Sequence, residues 1–170
     1  MFDLINGLPV HPLVVHAVVV LLPLAVVGTV ALAVRPAWRV VYGPLLVLVT
    51  AAANLMIPVA TSSGEALERH VGDPGRHAEL GDQLIWFALP LLVLDVAMVW
   101  LARGRPTTVR AALHFSPQDV AADRTAATTG RLTSVVAVLA VVAALAAGVQ
   151  VYRVGDSGAR AAWADQVAPK

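Results

Sequence analysis

Histidines at positions 11, 16, 70, 77 and 114 are the residues of this 170-residue chain best suited to chemistry. A neutral imidazole can ligate haem iron or a divalent metal, carry a proton, or hold a hydrogen bond. The chain has no cysteine, so any cofactor or metal must be held by His, carboxylate, amide or backbone groups. His16 lies in an apolar run, where an ionisable group is costly and is expected to turn toward a protein interior. It is the sharpest candidate ligand, and helix fastening is its plain alternative. His11 precedes Pro12 and can either start a helix or ligate. His11 and His16 are five apart, about 140° around an ideal helix, so they form no ready chelate. His70 and His77 flank a turn, with Glu65 and Asn54 as polar neighbours. Asp95 stands alone in a third apolar run. No nucleophile elbow, phosphate-cradling glycine loop or HExxH pattern occurs, so independent catalytic activity is not expected.

The elements that position these residues are read from composition. The chain is 58% hydrophobic and 14% charged, with a mean hydropathy of +0.76, too apolar for a water-soluble domain. Its net charge of +1 and 5% aromatic content exclude nucleic acid as a partner and leave the lipid bilayer. A membrane core of about 30 Å takes about 20 apolar helical residues. Four segments qualify, at about 10–34, 38–60, 84–102 and 132–154, which predicts an all-α, polytopic membrane protein built as a four-helix transmembrane bundle. Residues 1–170 read as a single transmembrane domain, with no internal repeat. Trp38 and Trp100 fall near one set of span ends and Trp86 and Trp163 near the other, as interfacial indoles do. Ser62 and Glu65 read as a capping box opening a helix after the second span. Gly72-Asp73-Pro74-Gly75 reads as a turn, and Ser116-Pro117 as the start of a short surface helix near 117–126. Arg35, Arg39 and the arginines at 103, 105, 110, 124 and 131 place the first and third loops in the cytoplasm, so both termini face outward across an inner membrane.

An even number of spans brings His11, His16, His70 and His77 to one end, the outer one, and leaves His114 at the other. At about 1.5 Å per residue, His16 and Asn54 lie at similar depths. The predicted site is therefore a polar rim with His16, His77, His70, Asn54 and Glu65 as cofactor-binding residues and His11, His16 and His77 as metal ligands. For b-type haem the axial pair is His16 with His77 or His70; a divalent metal is the other occupant considered. Redox membrane proteins are the expected partners. A non-catalytic scaffold is the second reading, and proton or ion transport through His16 and Asp95 the third.

Several motifs occur in order: Gly7-Leu8-Pro9-Val10-His11-Pro12 with His16, Ser63-Gly64-Glu65-Ala66-Leu67, His77-Ala78-Glu79-Leu80-Gly81, and Gly155-Asp156-Ser157-Gly158 before Trp163. Together they resemble the domain of unknown function 2231, a family of small bacterial predicted membrane proteins. The resemblance implies four spans and, because some relatives join this domain to Rieske-type or cytochrome-like domains, a redox setting. Its motif positions here are His11, His16, Gly64, Glu65, His77, Gly81, Gly155, Gly158 and Trp163. Relatives often carry His where this chain has Asp156, which weakens any ligand role at that position.

Overall fold

The computed structural model describes residues 4–5, 8–72, 75–103 and 119–167. Four helices carry the chain: α1 (Val10–Val34), α2 (Arg39–Val71), α3 (Arg76–Arg103) and α4 (Asp119–Val167). Ahead of them, β1 (Leu4–Ile5) and β2 (Leu8–Pro9) pair as a minimal antiparallel hairpin. All four helices are long and apolar enough to cross a membrane, so the predicted four-helix transmembrane bundle is the fold.

These segments are helical because a chain in hydrocarbon must satisfy every backbone N–H and C=O within itself. Their burial pattern is that of a lipid-facing bundle. Small residues face inward, with Ala25, Ala53, Ala88, Ala140, Ala144 and Ala147 all buried. Large ones such as Leu24, Val27, Leu48, Trp86, Val93 and Leu145 face outward. Against lipid there is little gain from hiding leucine, so close backbone packing on alanine decides which face turns in. Leu22, Leu91 and Met98 fill the remaining centre. Each helix packs on the next and α4 closes on α1, which sets α1 and α3 diagonally opposite.

The first connection is a 3-10 turn, Pro36–Trp38. Arg39 behind it is buried rather than a free loop cation: its Nε donates to Leu32 O at 2.7 Å and its Nη2 to Ala33 O at 2.9 Å. It thus satisfies carbonyls that the end of α1 leaves open, where a cation also suits the helix dipole. The second connection corrects two expectations. α2 runs unbroken through Ser62 to Val71, so Ser62 caps nothing; its hydroxyl donates back to Pro58 O at 2.8 Å. α3 begins at Arg76, eight residues before the predicted span. Hydropathy marks where lipid ends, and helices continue past it wherever nothing breaks them. The turn falls where predicted, with Gly72 at φ 91° and Gly75 at φ 59°, conformations that glycine adopts without strain. Residues 119–126 of the expected surface helix are the first turns of α4; residues 117–118 and His114 lie outside the described residues.

Candidate functional site

The end of the bundle bearing the α2–α3 turn holds a cavity of about 430 Å³ lined by all four helices. Its floor is apolar, made of Val18, Ile57, Leu84 and Val151. Glu65, Glu68 and Asp82 stand among its lining residues, the first and last of them exposed. Between floor and rim sit His11 and His77.

Each of these histidines is the second residue of its helix, and each is tied to the neighbouring helix. His11 Nδ1 lies 2.9 Å from Ala60 O and 3.3 Å from Ser63 Oγ on α2. His77 Nδ1 lies 3.1 Å from Val154 O and 3.4 Å from Ser157 Oγ on α4. Both serine hydroxyls donate to those same carbonyls at 2.9 Å, so both serines meet the ring as acceptors. A carbonyl only accepts, so Nδ1 must carry a proton in each ring, and in the neutral imidazole Nε2 then keeps a lone pair. Among the described residues neither Nε2 has a partner. The two rings stand edge to face with centroids 6.4 Å apart. Gly64 and Gly158 make this possible: a Cβ added at Gly64 would come within 3.1 Å of His11 Cε1, and one at Gly158 within 2.8 Å of His77 Cε1.

The other predicted site residues do not join the pair. His16 is exposed on the outer face of α1, its Nδ1 donating to Pro12 O of its own helix, so the expectation that it turns inward is corrected. A histidine one turn inside a span can meet its need for an acceptor locally and rest at the interface. His70 is exposed near the end of α2 and bonds Ala66 O at 3.2 Å. Glu65 reaches the cavity rim. Asn54 is buried on α2 three residues before the floor residue Ile57, donating to Thr50 O at 2.9 Å and Ala88 O at 3.1 Å, so it ties α2 to α3. Its Oδ1 has no partner among the described residues. Gln150 ties α4 to Leu80 O of α3 at 3.0 Å, while Tyr152 points outward. Asp95 is fully buried, accepting from Thr29 and Thr50 at 2.9 Å each, and so joins α3 to α1 and α2. Sequence reasoning missed Ser63 and Ser157 as partners of the rings. The signal available was the shared Ser-Gly pair at 63–64 and 157–158.

The fold and cavity define a class: a four-span helical membrane protein with a two-histidine cavity at one end of its bundle. The chain belongs to the domain of unknown function 2231 family, whose profile, described as a predicted membrane protein, matches residues 7–170. No curated protein and no solved structure matches the chain.

Proposed function

We propose that this chain is an inner-membrane protein that holds a b-type haem between His11 and His77 at its outward-facing end and exchanges electrons with a membrane redox partner. The observation that carries the reading is the pair itself: two imidazoles from diagonally opposed helices, each fixed at Nδ1 with Nε2 free, 6.4 Å apart beside a cavity. His11 and His77 would supply the two protein nitrogens of one metal centre. Haem iron needs just two protein ligands, since the macrocycle fills its other positions, whereas an ion held by protein alone takes more. Among the described residues no group of three His, Asp or Glu is placed for that. The volume lies in the range of cofactor pockets, and the apolar floor suits a porphyrin. Haem would supply one-electron chemistry; His11 and His77 would hold it, and the floor would keep water from it.

Oxidised and reduced absorption spectra of protein purified in mild detergent, with metal analysis, test this. The expected result is a low-spin haem spectrum that His11→Ala and His77→Ala each abolish and that His16→Ala and His70→Ala leave intact. Colourless protein that takes up no added haem overturns the proposal, and colourless protein with stoichiometric divalent metal replaces haem by an ion. The second reading, a non-catalytic scaffold or accessory subunit, draws on Asn54, Gln150 and Asp95, each of which fastens one helix to another.

A further inference from the structure

The residues that meet across the cavity occupy matching places in two halves of the chain. His11 opens α1 and His77 opens α3, and the same offset of 66 residues links Thr29 to Asp95, which touch each other at 2.9 Å in the bundle's interior. Counterparts that touch lie on an axis between the halves, and these two pairs mark that axis at the cavity and again deeper in the bundle. With the same offset, Leu22 and Ala88 are both fully buried, as are Ala25 and Leu91. On the second helix of each hairpin, Ser63-Gly64 corresponds to Ser157-Gly158, and counting back the same distance pairs Ala53 with Ala147, again both fully buried. The carbonyls that receive the rings, Ala60 O and Val154 O, lie four residues before each glycine. At most other matched positions the residues of the two halves differ, and for that reason the sequence reads as free of repeats.

We infer that the bundle is one histidine-bearing helical hairpin used twice, related by a twofold axis along the bundle, and that Ser63-Gly64 and Ser157-Gly158 are matched positioning residues for the two imidazoles. Each serine hydroxyl gives its proton to the backbone carbonyl and presents a lone pair to Nδ1, a second acceptor beside the carbonyl that already requires the Nδ1–H tautomer. Each glycine leaves room for the ring to approach the neighbouring helix. The result is one Nε2 from each half at a shared cavity, on rings 6.4 Å apart, so the cavity binds a ligand that takes one nitrogen from each half: a single metal centre. This deepens the proposed haem site and rests on it for the ligand, but the positioning devices belong to the chain alone.

The test uses the full-length chain, labelled with ¹⁵N-histidine and prepared without haem in detergent, with each signal assigned by its loss in a single histidine substitution. His11 and His77 are both expected as Nδ1–H tautomers with unprotonated Nε2. Ser63→Ala should move the ring-nitrogen signals of His11 alone, and Ser157→Ala those of His77 alone, while the carbonyl keeps the Nδ1–H tautomer in each. In a parallel titration each serine variant should weaken haem binding about tenfold, the usual order for losing a group that orients a histidine ligand. Gly64→Ala and Gly158→Ala should each displace their own ring, and the serine variants carry the test if those fail to fold. An Nε2–H tautomer at either histidine, or a ring shift produced by only one of the two serine substitutions, overturns the inference. If the tautomers and paired effects appear but no haem binds, the inference stands and the haem proposal falls.

Discussion

At the scale of single residues, the buried polar groups divide into those that fasten helices and those that face the cavity. Asp95 belongs to the first kind: it accepts two threonine hydroxyls from two other helices and is fully buried. Asp95→Ala removes both bonds between helices, leaving each hydroxyl only the carbonyl four residues back on its own helix at 2.9 Å, and should cost about 1–3 kcal/mol, whereas Asp95→Asn keeps an acceptor and should cost less. Equilibrium unfolding in detergent checks the order, and an unchanged stability for Asp95→Ala would show that the hydroxyl contacts contribute nothing. Gly81 lines the cavity, with nothing within 4 Å of an added Cβ. Gly81→Phe is therefore expected to fill the site while leaving thermal stability near that of the parent, and to abolish haem uptake in the same spectral titration. The sequence made His11, His77 and Glu65 visible as candidates because their types and span ends are readable from hydropathy. It misjudged His16 because the cost of burying an imidazole says that a partner is needed, not that the partner comes from another helix. It passed over Ser63 and Ser157, since their shared Ser-Gly pairing gains meaning only when two helices bring each hydroxyl to a ring.

Helix packing supplies the next level, and glycine positions grade it. An added Cβ at Gly43 would lie 2.6 Å from Val99 Cγ2, a branched side chain of α3 buried in the seam, while one at Gly28 would meet the far end of Leu46 at 2.9 Å. Gly43→Ala is thus expected to push α2 and α3 apart at a cost of about 1–3 kcal/mol, while Gly28→Ala is relieved by a rotation of Leu46 and costs little. Paired melting temperatures decide it; an unchanged value for Gly43→Ala would mean that the seam is looser than described. The existence and order of the four helices were legible because about 20 apolar residues in a row have few alternatives in a bilayer. Helix ends were not, because Glu65, Glu68 and Glu79 end the apolar pattern without ending the helix. The turn at Gly72 and Gly75 was legible, since positive φ is a demand that glycine meets and most residues do not.

For the whole molecule, the proposed orientation makes a separate prediction. A reporter fused into the loop between α3 and α4 should be active only if it works in the cytoplasm, because arginines concentrate at that end. Activity of an exported-only reporter there would invert the molecule and place the cavity on the other side. The bundle is asymmetric along its length in a way that matters whichever side that is. The two histidines start their helices, so the site lies close to one surface, and beneath it come an apolar floor and an alanine-packed interior. A charge moved across the whole bilayer gains or loses about 2.3 kcal/mol per 100 mV of membrane potential, and a charge added near one surface crosses little of that drop. A centre held between His11 and His77 would therefore change its oxidation state almost independently of the membrane voltage. It would trade electrons with one compartment only, while the packed half of the bundle acts as insulation.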